Sequence, residues 1–395
     1  MLLSGGDVID STGKILPKHS VLLEEGKVKD VGPAARFEGF SGTVYDTAGC
    51  TVLPGLIDCH VHLVYGGEPS PRTVMAELSN GAITLKALRN AQVSLRGGIT
   101  AVRDCGGKDY LEFAVRDAIA RGTFVGPTIR AVGKMICMTG GHGNYIARVA
   151  DGVDDVVKAV REQIHAGCDQ IKIMATGGVM TPGVNPEDAH YSAEEMAAGI
   201  AEGKRFHRKS ASHAQGSEGI LNAVRGGVDS IEHGIFMTDE CVQEMLKHKT
   251  MLVPTLAAVN NILVNRDKGV PAYAVEKASR VAERHRDSIK LFHKAGGRLA
   301  MGTDAGTPYN LHGYNALELE YMVELGIPAR DAILAATVNA ADLLELPKQG
   351  RIEPGADGDL LVVQGNPLQD ITCVARTDRH KAVFKKGQQV TEWLG

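Results

Sequence analysis

Gly55-Leu56-Ile57-Asp58-Cys59-His60-Val61-His62 is the stretch on which the reading of this 395-residue chain turns. Side chains alternate across a strand, so histidines at i and i+2 present both imidazoles to one face, as a two-toothed metal clamp. The lead-in Val52, Leu53, Leu56 and Ile57 is apolar, and metal-competent groups follow it. A strand buried on both faces reads this way where it emerges at its C-terminal end. Alone, His-Val-His is equally the mark of an ordinary strand, and the rest of the chain decides its meaning.

Outward from this stretch, residues 57–346 alternate strand-like and helix-like segments, the pattern of a parallel sheet flanked by helices. Strands are expected at 57–63, 99–104, 127–132, 169–175, 210–214, 229–233, 251–255 and 298–303. Helical periodicity marks 153–166, with Val153, Val156, Val157, Val160 and Ile164 on one face, and also 193–207, 216–226 and 273–295. Ser192 with Glu195 predicts a capping box. Gly97-Gly98, Gly226-Gly227 and Gly296-Gly297 predict helix ends turning into strands. Eight strands alternating with helices predict an α/β fold, a (β/α)8 TIM barrel, with an open doubly wound sheet as the competing architecture.

The two ends have hairpin grammar instead. Val21-Leu22-Leu23, a turn at Glu24 to Lys27, and Val28 to Val31 make one hairpin. Asp359 to Val363 and Lys381 to Val390 repeat the pattern at the tail. A small β-sandwich domain formed by both chain termini, residues 1–56 and 347–395, is therefore expected around a barrel spanning 57–346.

Composition narrows the function. With 44% hydrophobic residues the chain can bury a large core, and a formal net charge of −4 disfavours nucleic-acid binding. No run has the apolar length that crosses a bilayer, and the N-terminus lacks the basic flank of a signal peptide. Seven cysteines at irregular spacing form neither a disulfide framework nor a CxxC site, which predicts reduced thiols and a cytoplasmic protein. The expected partner is a small-molecule substrate, in a chain that forms a homo-oligomer.

Polar interruptions cluster where the expected strands end: His60 and His62, Lys172 in Gln170-Ile171-Lys172-Ile173-Met174, His213, His233 and Asp304. Each has an ordinary reading, since a lone histidine at a strand end is commonly a hydrogen-bonded core residue. Lys172 is harder to dismiss, because Ile171 and Ile173 face the helices and the lysine must then point inward. An unpaired ammonium there is costly, and a neutral amine can add carbon dioxide to give a carbamate whose two oxygens bridge two cations.

This order of residues, with Pro54 to His62 at the head and Gly302-Thr303-Asp304-Ala305-Gly306 at the tail, resembles the amidohydrolase superfamily across nearly the whole chain, including Gly355 to Leu360. The resemblance implies that His60, His62 and Asp304 hold one divalent metal and His213 and His233 a second. Carboxylated Lys172 and a hydroxide would bridge them. Imidazole and hard oxygen donors suit zinc, with cobalt or manganese as alternatives. It further implies hydroxide attack on a carbonyl, with Asp304 as general base and then general acid.

Met138-Thr139-Gly140-Gly141-His142-Gly143 resembles a loop of the branch holding metal-dependent prolidases, Xaa-Arg (Lys) dipeptidases and imidazolonepropionase-like proteins. That points His142 at the substrate carbonyl or carboxylate and predicts cleavage of an amide in a dipeptide or N-acyl amino acid. Gln215 departs from the aromatic residue that prolidase-like members carry there, so Tyr191, Tyr145 and Arg148 are the candidate substitutes for carboxylate recognition. An esterase, lactonase or phosphotriesterase on the same metal site is the alternative. A mononuclear deaminase would not need Lys172, and a non-catalytic scaffold would not keep all six ligands.

Overall fold

A computed structural model describes residues 1–390; the last residues of the expected terminal domain, 391–395, lie outside the described residues. The His-x-His stretch falls on the strand Leu56–Val61, every residue of which is buried. It pairs in parallel with Ile99–Asp104, which pairs in turn with Thr128–Ala131. A second sheet carries Ile171–Met174, Ser210–Ala214, Ser230–His233 and Met251–Val253 side by side, all parallel. Helices Asn80–Arg96, Leu111–Ala120, Val153–Ala166, Ala193–Arg205, Ser217–Arg225, Asp239–His248 and Ala272–Lys294 alternate with these strands. Apart from Thr128 and Arg130 the residues of these strands are buried, because helices cover the side that does not face the interior.

The eighth expected strand, 298–303, departs from a regular strand. It makes isolated bridges, Leu252 with Leu299 and Val61 with Ala305. It still joins the edges of the two sheets: Ala300 N–H donates to Leu252 O at 3.0 Å, and Cys59 N–H donates to Met301 O at 2.8 Å. On the far side Asp169 N–H donates to Ala131 O at 2.8 Å, so the sheets also meet there. Gly302 explains the break, since a Cβ there would stand 2.2 Å from Val253 and 2.9 Å from His60. The chain runs too close to its neighbours for a regular strand, and it turns at Asp304, whose φ is 60°.

Local sequence sets the helix ends. Ser192 and Glu195 form the reciprocal capping box that opens Ala193–Arg205. Gly167, at φ 97°, closes Val153–Ala166 in the left-handed conformation that other residues rarely adopt. The four predicted helices appear within about two residues of their expected bounds.

Both termini enter one six-stranded sheet, in which Leu360–Gln364 pairs antiparallel with Cys50–Pro54 on one side and His380–Lys385 on the other. The expected N-terminal hairpin is present as His19–Glu24 and Lys27–Pro33, in a four-stranded sheet. Leu3, Val21, Val52, Leu360, Val362 and Phe384 share a small core between these sheets. Leu53, Leu361 and Val363, one register step away, pack instead into the large core of the parallel sheets. Burial of both faces accounts for the unbroken apolar run Leu360-Leu361-Val362-Val363. Among the described residues no helix is long and apolar enough to cross a membrane, and all seven cysteines are free.

Candidate metal centre and substrate cavity

The six polar interruptions line one cavity at the C-terminal ends of the parallel strands. The His60 ring centroid lies 5.5 Å from that of His62 and 5.2 Å from that of His233, and the His213 and His233 centroids are 4.5 Å apart. Lys172, 2% exposed, places Nζ 3.5 Å from His60 Nε2. Asp304 Oδ1 stands 3.5 Å from His60 Nε2 and 3.3 Å from His62 Nε2. Ligand atoms of His60, His233 and Asp304 all lie within 4.8 Å of one another.

Each imidazole is tied on its outer side by one acceptor. His62 Nδ1 donates to the Gly106 carbonyl at 2.7 Å, and His213 Nε2 donates to the Gly177 carbonyl at 2.9 Å. His60 Nδ1 donates to Glu232 Oε2 at 2.7 Å. His233 Nδ1 meets Thr255 Oγ1 at 2.7 Å, and that hydroxyl gives its own hydrogen to Pro254 O at 2.6 Å, so it can only accept from the ring. The tautomers follow: His60, His62 and His233 keep a lone pair on Nε2 and His213 keeps one on Nδ1, each facing the cavity. Burial pushes His60 and His213 well below the usual imidazole range and His233 to about 3, so their lone pairs stay free of protons, whereas on His62 the effect of burial is outweighed by Asp304 and its pKa is raised.

Asp304 completes the set. Burial works against its ionisation, yet His60, His62 and His233 outweigh that and hold the carboxyl well below the usual carboxylate range. Its Oδ1 is buried and makes no hydrogen bond. Inward lone pairs and an orphaned carboxylate oxygen gathered around a buried lysine make a ligand set that fits a divalent cation. His233 and Asp304 both have positive φ, 72° and 60°, backbone strain of the kind that gathers at functional sites.

Beneath the histidines lies a buried network that sequence reasoning missed. Arg103, fully buried, donates from Nη2 to Glu232 Oε1 at 2.7 Å and from Nε to the Cys59 carbonyl at 2.6 Å. Glu232 therefore holds Arg103 with one oxygen and His60 with the other. Asp58 is a second hidden carboxylate: it accepts from His60 N–H at 3.0 Å, Thr303 Oγ1 at 2.6 Å and Asn315 Nδ2 at 2.7 Å. It clasps the segment holding His60 to the one holding Asp304. The strand period could have exposed Glu232, which shares its face with Ser230, but nothing local announces the partner of Asp58. Cys105 and Glu232 also lie within ligand distance of His60, but burial pushes the Cys105 thiol up to about 12 and Glu232 is already taken.

The cavity has two arms. The larger, about 710 Å³, is walled by Tyr65, Arg72, Tyr145, Ile146, Met174 and Tyr273. The smaller, about 390 Å³, is walled by Val179, Ile235, Ala258, Val259, Ile262 and Gln215. His142 lines both, as expected, with Nδ1 2.8 Å from Thr181 Oγ1 and its ring centroid 4.5 Å from that of His213. Desolvation lowers its pKa to about 3. Tyr145 and Gln215 line the cavity too, and Gln215 Oε1 is buried without a partner. Arg148 and Tyr191 line neither arm, against the sequence expectation. Arg148 is held by Asp155 at 2.8 Å and Glu162 at 2.7 Å, and the Tyr191 hydroxyl donates to the Ala150 carbonyl at 2.8 Å. Arg72, which the sequence did not single out, stands in the wall of the larger arm.

Comparison with known proteins agrees with this geometry. The amidohydrolase family model matches residues 51–390. An ochratoxinase of Aspergillus niger is 30% identical over 98% of this chain and 86% of its own length. The crystal structure of a Xaa-Pro dipeptidase with bound methionine superposes with a TM-score of 0.90 at 32% identity, covering 98% of both chains. That of a prolidase complexed with N-methylphosphonate-L-proline does so with a TM-score of 0.90, also at 32% identity and 98% of both chains.

Proposed function

Because the chain belongs to the amidohydrolase family and is a hydrolase, we propose that it cleaves an amide bond in a dipeptide or an N-acyl amino acid at a two-metal site. The observation that carries this reading is the ring of four inward lone pairs around Lys172 and the unpartnered Asp304 Oδ1. The relatives named as a Xaa-Pro dipeptidase and a prolidase support a substrate with an amino-acid unit. In this reading residues 57–346 form a closed (β/α)8 barrel, and residues 1–56 and 347–395 a β-sandwich domain.

His60, His62 and Asp304 would hold one cation and His213 and His233 the other, with Lys172, carboxylated by carbon dioxide, between them. Zinc suits the donors best, and cobalt or manganese are the alternatives. When bound, the pair supplies Lewis acidity that brings the pKa of water from ~15.7 to about 7 and polarises a carbonyl. The rest falls to side chains. Thr181 Oγ1 accepts from Gly143 N–H at 3.1 Å and lies 2.8 Å from His142 Nδ1; with the hydroxyl hydrogen given to Nδ1, His142 would offer Nε2–H to the substrate carbonyl oxygen. Asp304 takes the proton of the attacking water and passes it to the leaving nitrogen, so the carbonyl carbon gains hydroxyl as the C–N bond breaks.

Zinc-reconstituted protein in bicarbonate, assayed on dipeptides and N-acyl amino acids, tests this. Two metal equivalents per chain and release of free amino acid are expected. One equivalent, or release of alcohol from esters alone, overturns the reading. Asp304→Asn should retain fold and metal while kcat falls by about 10²- to 10⁴-fold.

A further inference from the structure

The two arms of the cavity differ in charge, and the difference bears on the substrate. In the smaller arm the wall beyond the shared histidines and Asp304 is apolar apart from Gln215 and Thr307. In the larger arm Arg72 stands in the outer wall as a cationic side chain, and Lys172, proposed to be carboxylated, lies on the floor. Lys172 is buried among the histidines, but Arg72 is exposed. Among the described residues no carboxylate comes within ion-pair distance of its guanidinium, although most arginines of this chain have one.

Arg72 is nevertheless held in place. Its guanidinium carbon lies 5.7 Å from the centre of the Tyr145 ring, a cation–π contact. The Tyr145 hydroxyl is 2.7 Å from that of Tyr65, whose ring centroid lies 5.4 Å from that of His62. A continuous aromatic wall thus runs from a candidate metal ligand to an unneutralised cation at the rim. An arginine so placed offers a forked pair of donors suited to a carboxylate.

We infer that Arg72 is the specificity-determining residue that binds a free carboxylate on the leaving-group side of the substrate, while the apolar acyl group occupies the smaller arm. The substrate class is an acylated amino acid or peptide with a bulky apolar acyl half and an ionised C-terminus. The inference rests on the proposed hydrolysis of such molecules and adds their orientation. Arg72 acts on binding, so its removal raises KM for carboxylate substrates and leaves kcat near its original value.

Binding without turnover tests this separately from the reaction. The probes are N-benzenesulfonyl-L-leucine, the longer N-benzenesulfonyl-6-aminohexanoic acid, and the carboxamide of each; in all of them a sulfonamide joins the two halves and offers no carbonyl to attack. Titration calorimetry on zinc-loaded protein should show at least one carboxylate binding about tenfold or more tighter than its carboxamide, a preference that shrinks at high salt because the guanidinium is exposed. Arg72→Met should abolish the preference, and Arg72→Lys should keep part of it. Neither carboxylate binding better than its carboxamide, or a preference that survives in Arg72→Met, overturns the inference. Turnover of N-benzoyl-L-leucine by the same preparation tests the amide reading. Carboxylate-dependent binding without turnover would leave Arg72 assigned and the hydrolytic reading refuted.

Discussion

At the scale of single residues, the site depends on groups that hold the catalytic side chains in one orientation. Gly178 is the clearest case: a Cβ there would stand 2.6 Å from two atoms of the His142 ring. Gly178→Ala should therefore displace that ring and lower kcat/KM by up to about 10²-fold while metal content stays constant, since a misplacement near 1 Å can cost that much. Thr255 fixes the tautomer of His233 by accepting from its Nδ1. Thr255→Ala should weaken metal binding about 10- to 100-fold, read by competition with a chelator.

The six candidate ligands are legible in the sequence because each interrupts an apolar run where a strand ends. Arg103, Glu232 and Asp58 interrupt such runs too, but their partners lie elsewhere in the chain. Asp58 is 245 residues from Thr303, and no local pattern announces that bond. Arg148 and Tyr191 are expected from the sequence as substitutes for the aromatic residue that Gln215 replaces. Sequence does not fix where such a side chain points, and both are spent on bonds away from the cavity.

At the scale of elements, helix ends are tuned to serve the site. The helix Leu256–Val264 begins at Thr255, whose hydroxyl is engaged by His233 and Pro254 and makes no cap bond. Glu318 caps it from a distance, accepting from Leu256 N–H at 2.7 Å and Ala257 N–H at 2.8 Å. Burial raises the Glu318 pKa to about 8, against the pull of those two bonds. The folded state thus holds a proton that the unfolded chain releases near its ordinary value of 4.5. The resulting stability is complete below that value and is lost as pH rises through the folded value. Tm of the native protein should fall between pH 5 and 8 more steeply than Tm of Glu318→Gln, and parallel curves would refute the assignment. Periodicity makes four of the helices and seven of the strands legible. The eighth expected strand is not a regular one, because close packing at Gly302 is a tertiary constraint that a run of apolar residues does not reveal.

At the scale of the whole molecule, the chain ends are part of the body. Leu360–Gln364 lies between Cys50–Pro54 and His380–Lys385, and Leu361, Val363 and Val383 enter the large core. Removing residues 351–395 would expose those apolar faces and leave Cys50–Pro54 an unpaired edge. Such a truncation should accumulate as insoluble protein, measured as the soluble fraction on expression, rather than as a folded protein with weakened activity.

The Asp58 clasp also carries a consequence for biosynthesis. Its two halves leave the ribosome 245 residues apart, a delay of about 12 to 50 seconds at ordinary elongation rates. Throughout that interval the growing polypeptide displays His60 and His62 without the aspartate that finishes their pocket. If the proposed metal site is right, ion capture would be postponed until translation is nearly done, and a chain stalled before Asp304 would be born unable to hold the ions.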